Sequence, residues 1–478
     1  MKRKGLIVQD TVAPPVGALF PDSAQRERLD AWLGRELAAA CKRVVTGPVT
    51  PDFDAERFRA ELTAFDFQIP CDPAAALAWV IAQLEHGVVH LNHPRYFGLF
   101  NPAPSFPAQW ADRIAAAFNP QLASSGTSPA AVQIEAHVIR ALAQRAGLPL
   151  GSAGHFTTSG SEANATALIC ALTRASARFG TEGARAFEAP VAMYTSKDCQ
   201  PGWFKVVHQC GIGRAALRLI ETDGHGRLSP EALAAAVTAD RAAGRVPVLI
   251  SATAGTTNAG MVDPLRECAA IARQHGLWYH VDAAWGGAAL CSARLTGLLD
   301  GVALADSLTI DAHKWFATTM GCGMFITRHP GVLSEAFRVT TDFMPSAAAN
   351  LDPYLNTMQW SRRFMGLRLF LSLACAGWDG YGEHVERAAQ LMDAVRARLE
   401  QRGWTALNES RLAVLCVVPP SGAPAPREIV RRVLASGRAW VAATTFESRE
   451  AVRICVTHGE SSLGDVEQLV EALQAAAS

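Results

Sequence analysis

The sequence has no long apolar run and no net charge. Its 478 residues contain no stretch of 18 consecutive apolar residues, so no transmembrane helix is predicted. The 44 Lys and Arg balance the 44 Asp and Glu, and no basic block stands out. Neither nucleic acid nor an anionic membrane would be attracted to such a chain, so we expect neither as a partner.

The 11 cysteines lack the spacing of a metal site or a redox pair. None forms a CxxC pair or a Cys/His cluster, so no metal is predicted. Most lie in apolar runs and are typical of small buried hydrophobes, which favours a reducing, cytoplasmic compartment. Lys2, Arg3 and Lys4 precede only a short apolar piece, which is not the pattern of a signal peptide.

Short apolar strands alternate with helical patterns from about Pro73 to Arg338. This alternation predicts an α/β fold in which helices cover a mainly parallel sheet. The predicted strands are Val191–Thr195, Val246–Ala252, Trp278–Asp282, Ser307–Ile310 and Gly323–Thr327, and the predicted helices between them are Glu231–Arg241 and Pro264–His275.

Different patterns flank this region. Residues 1–72 hold one amphipathic helix, about Ser23 to Val45, and are too few to form a core, so we expect them to pack on a partner subunit. Residues 73–355 would form the large domain and residues 356–478 a smaller α+β domain. The elements predicted there are a helical region Trp360–Arg402, strands Ala413–Val418 and Ala451–Val456, and helices Pro426–Ser436 and Leu463–Ala477.

Lys314 has an unusual setting, directly after a predicted strand and between His313 and Trp315. A lone lysine is more often a surface charge. In apolar surroundings, however, the ammonium form is disfavoured, and the neutral amine is a nucleophile that bonds to carbonyl carbon.

Other chemically suggestive residues also follow predicted strands, where parallel sheets place their ligand sites. Asp282 ends an apolar strand, so its carboxylate needs a cationic partner. Hydroxyl-rich turns at 157–164 and 253–258 offer groups that suit a phosphate. Taken alone, the first turn is more typical of an ordinary helix cap.

These features together match the requirements of pyridoxal phosphate (PLP). This cofactor needs a lysine for covalent attachment, a carboxylate for its pyridinium nitrogen, a phosphate site and a plane against its ring. Lys314 offers the lysine, Asp282 the carboxylate, and residues 159–161, Thr257 and His313 the phosphate site. The G-x-G-x-x-G and G-x-x-x-x-G-K patterns are missing, so nicotinamide and ATP are not favoured.

Three motifs in order resemble the group II PLP-dependent amino-acid decarboxylases, which include the aromatic-amino-acid, glutamate and diaminobutyrate decarboxylases. The motifs are Thr158-Ser-Gly-Ser-Glu-Ala-Asn164, His280-Val-Asp-Ala-Ala-Trp-Gly-Gly287 and Asp311-Ala-His-Lys-Trp315, and the resemblance runs from about His93 to Arg453. It implies the PLP-dependent transferase fold of type I, with a large mainly parallel-sheet domain and a smaller C-terminal α+β domain. It also implies an intertwined homodimer with shared active sites and an amino-acid substrate.

The resemblance assigns roles by position. Lys314 becomes the lysine that holds the cofactor, Asp282 the partner of the pyridinium nitrogen, and Ala284 the contact to one face of the ring. The residues that resemble the phosphate-binding set are Ser159, Gly160, Ser161, Thr257 and His313.

Two positions depart from the family's pattern. The decarboxylases use a loop tyrosine, assisted by a histidine stacked over the cofactor, when a proton is returned to Cα. Here Phe343 stands at the tyrosine position and Gln200 at the histidine position. Neither side chain supplies an acidic proton near neutral pH. Plant and insect relatives that make aromatic aldehydes are altered at one or the other position, so the resemblance favours decarboxylation coupled to oxidative deamination.

Three alternatives stay open. The two replacements are neutral if Tyr354, His208 or water supplies the proton, and the product is then an amine. An aminotransferase of the same fold would use the lysine to move the Cα proton, but His313 directly before Lys314 argues against it. The intact Lys314 and Asp282 argue against a non-catalytic homologue.

Substrate choice is weakly encoded. In the aromatic-amino-acid decarboxylases, two segments line the side-chain pocket. Here the first segment, 96–102, keeps Phe100, and the second, 120–129, has Gln121 and Ser124 in place of apolar bulk. The pocket is then wider and more polar, unless Gln121 and Ser124 are dimer-interface residues. Arg453 either supports the substrate carboxylate or pairs structurally.

Overall fold

The structure is a computed structural model that describes residues 15–339, 341–345 and 351–478. The expectation for Lys2–Lys4 lies outside the described residues. In the loop that contains Phe343, residues 340 and 346–350 also lie outside them. The strands are β1 Ala153–Thr157, β2 Val191–Ser196, β3 Leu217–Ile220, β4 Val246–Thr253, β5 Trp278–Asp282, β6 Ser307–Asp311, β7 Gly323–Thr327, β8 Thr405–Ala406, β9 Val414–Val418, β10 Ala442–Phe446 and β11 Arg449–Cys455.

Helices flank these strands along the whole described chain. The α-helices are α1 Pro15–Leu19, α2 Ser23–Thr46, α3 Ala55–Leu62, α4 Pro73–Gly87, α5 Phe106–Phe118, α6 Pro129–Arg145, α7 Gly160–Ala175, α8 Phe179–Glu182, α9 Trp203–Gln209, α10 Pro230–Ala242, α11 Leu265–His275, α12 Gly331–Phe337, α13 Pro353–Asn356, α14 Gly366–Glu400, α15 Pro426–Ala435 and α16 Leu463–Ala477. Short 3-10 helices cover Gly183–Ala186, Arg214–Ala216, Gly286–Cys291, Thr296–Leu299 and Val302–Leu304. In these described residues, no helix is both long and apolar enough to cross a membrane.

A seven-stranded sheet organises the larger part of the molecule, in the order β1-β7-β6-β5-β4-β2-β3. Strands β2 to β6 are parallel, and β7 runs antiparallel to both of its neighbours. The prediction of a mainly parallel sheet is therefore confirmed, and every predicted strand in it is present. Strands β1 and β3 were not predicted, because Ala153-Gly-His-Phe-Thr157 has little apolar character and β3 is very short.

The middle of this sheet is buried on both faces. Every residue of β5, β6 and β7 is buried, as a sheet covered by helices on both sides requires. Helix α7 packs across β4 to β7 on one face, and the described residues of α10 and α11 cover β4 on the other. The strands are thereby fixed rigidly, with their carboxyl ends beside the start of α7.

The C-terminal part contains a four-stranded antiparallel sheet in the order β10-β11-β9-β8. The predicted α+β elements are all present, although the long helix α14 begins at Gly366 and not at Trp360. The reason is a buried ion pair: Arg362 Nη1 lies 2.7 Å from Glu135 Oε2. The same carboxylate accepts a hydrogen bond from the Gly366 amide at 2.9 Å, so it holds residues 362–365 outside the helix.

Candidate active site

A cavity of about 190 Å³ lies where β4, β5 and β6 end beside the start of α7. Thr253, Asp282 and Asp311 are the last residues of those strands, and the parallel register pairs Thr253 with Asp282. The cavity brings together most of the predicted site residues, namely Phe100, Ser159, Gly160, Ser161, Gln200, Thr257, Asp282, Ala284, His313 and Lys314.

Lys314 is largely buried, with 20% of its side chain exposed, and its charge is balanced by Asp311. Its Nζ lies 3.0 Å from Asp311 Oδ2. Asp311 also lies against the first turn of α7, since a Cβ added to Gly160 would be 2.8 Å from Asp311 Oδ2. Asp311 had no predicted role, although its position three residues before Lys314 at a strand end was a usable signal.

Asp282 is buried and accepts two hydrogen bonds from neutral donors. Asn164 Nδ2 donates to its Oδ2 at 2.8 Å, and the Ala284 amide donates to its Oδ1 at 3.1 Å. Among the described residues, no cationic side chain forms a salt bridge with it. A carboxylate has about four acceptor positions, so Asp282 keeps capacity for a cationic N–H donor in the cavity.

The start of α7 is a fitting place for a phosphate. Ser159 is the N-cap residue, and its side chain makes no capping hydrogen bond. The first amides of this 16-residue helix, at Gly160 and Ser161, are directed towards its N-terminal end. In the cavity wall, the Thr253 hydroxyl is buried without a partner in the described part of the chain.

His313 is a neutral donor at this site. Burial lowers the pKa of its imidazole, and nearby Asp311 opposes this effect only in part. Its Nδ1 accepts a hydrogen bond from the Cys322 amide at 3.2 Å. The neutral ring therefore carries its hydrogen on Nε2.

Stacked aromatic rings form one wall of the cavity. The Phe100 ring lies 4.1 Å from the Trp285 ring, at an interplanar angle of 10°. Trp285 in turn lies 4.5 Å from Trp315, at 2°. The Arg453 guanidinium lies 4.8 Å from the Phe100 centroid. This cation–π and stacking arrangement holds Phe100 in place.

Arg453 does not line the cavity. Its Nε donates to the Thr257 carbonyl at 2.9 Å and its Nη1 to the Gly98 carbonyl at 2.6 Å. Of the two predicted possibilities, support of the substrate carboxylate or structural pairing, these contacts match the second. Arg453 thus ties β11 to two loops of the cavity wall.

Gln200 lines the cavity with its amide orientation fixed. Its Oε1 accepts a hydrogen bond from the Gly202 amide, which leaves Nε2 as a donor. A Cβ on Gly202 would collide with Gln200 Oε1 and lie 3.2 Å from Ser161 Oγ. Gly202 therefore provides the space that the Gln200 amide occupies.

We expect Gly202→Ala to displace Gln200 without disturbing the fold, because Gly202 has helical torsion angles, φ −56° and ψ −23°. If Gln200 contacts the cofactor, PLP should bind about fivefold more weakly, as for the loss of one hydrogen bond of ~1 kcal/mol. Equilibrium titration would measure this, with Gly297→Ala, at a position with open space around it, as the control. A weaker affinity in Gly202→Ala but not in Gln200→Ala would contradict this explanation.

Phe343 and Gln121 do not line the cavity. Phe343 is 75% exposed, and its ring lies 6.1 Å from that of Trp360. Gln121 is exposed and donates to Ser361 Oγ at 3.2 Å. The structure therefore brings neither residue into this cavity, and for Gln121 the alternative of a dimer interface stays a prediction. Tyr354 and His208, the alternative proton donors, do not line the cavity either.

The fold and the site together define a class. A mainly parallel sheet that carries a lysine, a carboxylate and a helix N-terminus at its strand ends is the arrangement of a fold type I PLP enzyme. The buried acceptor on Asp282, the close approach at Gly160 and the unpartnered Thr253 hydroxyl fit this cofactor.

Comparison with known proteins gives the family. Residues 63–417 match the conserved domain of the pyridoxal-dependent decarboxylases. The aromatic-L-amino-acid decarboxylase of Bacillus atrophaeus is 27% identical over 444 residues, covering 90% of this chain and 91% of that protein. This chain therefore belongs to the pyridoxal-dependent decarboxylase family, its cofactor is PLP, and it is an enzyme of the carboxy-lyase type.

Solved structures agree on the fold. An Oryza sativa TDC crystallised with PLP and tryptamine has a TM-score of 0.90 at 25% identity, covering 98% of this chain and 99% of that one. The Rhodiola rosea 4-hydroxyphenylacetaldehyde synthase has a TM-score of 0.86 at 23% identity, covering 96% of this chain and 98% of that one. The predicted fold type I is thereby confirmed.

Proposed function

We propose that this protein decarboxylates an L-amino acid and, with O2, releases an aldehyde in place of an amine. One amino acid, one O2 and one water would give one aldehyde, one carbon dioxide, one ammonia and one hydrogen peroxide. The observation that carries the proposal is Gln200, which lies in the cavity and presents an amide that has no acidic proton. Gln200 would therefore be unable to return a proton to the substrate Cα, and that carbon would stay open to reaction with oxygen.

The residues that line the cavity would each have a distinct role towards the cofactor. Bound PLP supplies the carbonyl carbon that takes up the substrate amine and the ring that accepts electrons. Lys314 would hold the cofactor covalently, and Asp282 would keep a proton on its ring nitrogen. Ala284 would contact one face of the ring. The phosphate would be held by Ser159, Gly160, Ser161, Thr257 and His313, all of which line the cavity.

We also propose a cytoplasmic homodimer in which Phe343 contacts the cavity of the partner. The Phe343 ring is mostly exposed, and so are the apolar side chains of Phe106, Trp110 and Phe118 on α5. Large exposed apolar patches usually mark an interface. The thiols are free in the described chain, which suits a reducing compartment.

A plain decarboxylase that releases an amine is the second candidate. The Bacillus atrophaeus relative, which covers nearly the whole chain, is named as an aromatic-L-amino-acid decarboxylase. The aldehyde synthase from Rhodiola rosea shares the fold, so the fold itself admits an aldehyde product.

One experiment separates the candidates. The purified holoenzyme is incubated in air with a panel of L-amino acids, and carbon dioxide, amine, aldehyde and peroxide are all quantified. We expect aldehyde and peroxide in equal amounts, with aldehyde formation lost when oxygen is removed. Amine without peroxide would refute the oxidative proposal, and keto acid without carbon dioxide would refute decarboxylation in either form.

A further inference from the structure

A line of buried polar side chains runs away from the cavity along β5 and β6. Trp278, His280 and Asp282 alternate along β5, so their side chains share one face of the sheet. On β6, Ser307 pairs with His280 and Thr309 with Asp282 in the parallel register. All five residues are more than nine-tenths buried. Helix α7 covers this face and contributes Asn164, which is also buried.

Four hydrogen bonds connect these residues end to end. Trp278 Nε1 lies 2.8 Å from Ser307 Oγ, and Ser307 Oγ lies 2.8 Å from His280 Nδ1. His280 Nε2 lies 3.1 Å from Asn164 Oδ1, and Asn164 Nδ2 lies 2.8 Å from Asp282 Oδ2. This row of hydrogen bonds thus begins at the Trp278 indole and ends at the Asp282 carboxylate in the cavity.

The two ends determine the direction of every hydrogen between them. At the cavity end, an ionised carboxylate only accepts, so Asn164 Nδ2 faces Asp282 and Asn164 Oδ1 faces His280. The neutral imidazole therefore donates from Nε2 to that oxygen and accepts at Nδ1. At the other end, an indole N–H only donates, so Ser307 accepts from Trp278 and gives its own hydrogen to His280 Nδ1.

The reverse arrangement is unfavourable at several contacts. With the hydrogen on Nδ1, His280 would direct a lone pair at Asn164 Oδ1. Turning the Asn164 amide would relieve that contact but place Oδ1 against the Asp282 carboxylate. Thr309 reinforces this direction, because its hydroxyl donates to Asn164 Oδ1 at 2.7 Å and lies farther, at 3.2 Å, from His280 Nε2. Since these groups are buried, an unmade or repulsive contact is expensive.

Burial also keeps His280 neutral. It lowers the pKa of the imidazole to about 4, because desolvation outweighs the attraction of Asp282. With a neutral His280 ring, Asp282 is the single charged group in this hydrogen-bonded row. Its negative charge is the partner that a protonated pyridine nitrogen requires.

We infer that His280 is a positioning residue, held as its Nε2–H tautomer by Trp278 and Ser307, that orients the Asn164 amide towards Asp282. Asn164 then fills one acceptor position of Asp282 Oδ2 and fixes the carboxylate plane. The remaining acceptor capacity is left for the ring nitrogen of PLP. This inference rests on the role proposed above for Asp282.

The first test is the tautomer itself. Nitrogen NMR of the ¹⁵N-histidine-labelled holoenzyme should show the His280 hydrogen on Nε2 throughout the neutral pH range. Assignment would come from the signal that disappears in His280→Gln. A hydrogen on Nδ1, or a charged ring at neutral pH, would overturn the inference. Because the tautomer is measured in the wild-type protein, this result does not depend on whether a variant folds.

The second test is PLP affinity, measured by equilibrium titration. We expect His280→Leu to weaken binding by about tenfold or more, by analogy with the partners that orient metal ligands. His280→Gln retains an N–H donor near the position of Nε2 and should stay within about threefold of the wild type. His155→Leu is the matched control, since His155 is also buried but lies outside the cavity.

A double-mutant cycle separates this inference from the proposed role of Asp282. If His280 acts through Asp282, His280→Leu should have no further effect on affinity in an Asp282→Asn background. If the losses of PLP affinity in His280→Leu and Asp282→Asn are additive, the inference about His280 is overturned, and the role of Asp282 is not affected. The same holds if His280→Gln binds PLP as weakly as His280→Leu. Wild-type affinity in Asp282→Asn would instead refute the role of Asp282 itself.

Discussion

Lys314→Ala should abolish the covalent bond between protein and cofactor and lower turnover by at least about a thousandfold, as is typical when a residue that acts in every step is removed. The Lys314 amine is the group that lines the cavity within reach of Asp311 and the start of α7. Without it, PLP can be held only by its phosphate and ring contacts. The yellow absorbance of the lysine-bound cofactor should be lost. Reduction with borohydride should no longer attach the cofactor covalently to the protein, as mass spectrometry would measure.

Lys205→Ala is the matched control for this experiment. Lys205 lies exposed on α9, outside the cavity, so its removal should change neither the absorbance nor the turnover. A Lys314→Ala protein that still carries borohydride-fixed cofactor would show that another amine holds PLP. The assignment of Lys314 would then be wrong, whatever the effect on turnover.

Phe343→Tyr should move the products from aldehyde towards amine. A phenol at this position restores a proton donor, and positioned general acids contribute about 10² to 10⁴ in rate. We therefore expect the ratio of amine to aldehyde to rise by about a hundredfold. Adding Gln200→His should raise it further. Both products are quantified together with peroxide, which should fall in step with the aldehyde.

The control for this substitution is Phe67→Tyr, which adds the same hydroxyl to another exposed ring. Its product ratio should match that of the wild type. An unchanged ratio in Phe343→Tyr, in a protein that retains full cofactor loading, would show that the loop position does not govern the fate of the carbanion. The oxidative proposal would then depend on Gln200 alone.

Strand ends were the most reliable guide in the sequence. Short apolar runs that end in Asp282 or precede Lys314 are local patterns, and a parallel sheet necessarily brings their carboxyl ends together. The proposed phosphate site was predicted instead from hydroxyl-rich residues at the start of a helix, because β1, the strand that leads into α7, has little apolar character. The strand-end rule explains why the sequence alone predicts one shared cavity for residues that lie far apart in the chain.

Contacts between distant side chains were not accessible in this way. Arg453 donates hydrogen bonds to the carbonyls of Gly98 and Thr257. These bonds join three segments of the chain whose sequences give no sign that they are neighbours. The late start of α14 depends on Glu135, far earlier in the chain. The sequence places Phe343 at the loop position of the family's tyrosine, and a loop position does not determine which cavity an exposed side chain reaches.

The stacked rings of Phe100, Trp285 and Trp315 give the protein a built-in optical reporter. Trp285 lines the cavity and lies in contact with Trp315, so the light these two indoles emit originates beside the proposed cofactor site. PLP absorbs in the range where tryptophan emits, and energy transfer over a few ångströms is efficient. Cofactor loading can therefore be followed through the quenching of native fluorescence, without a label or an added substrate.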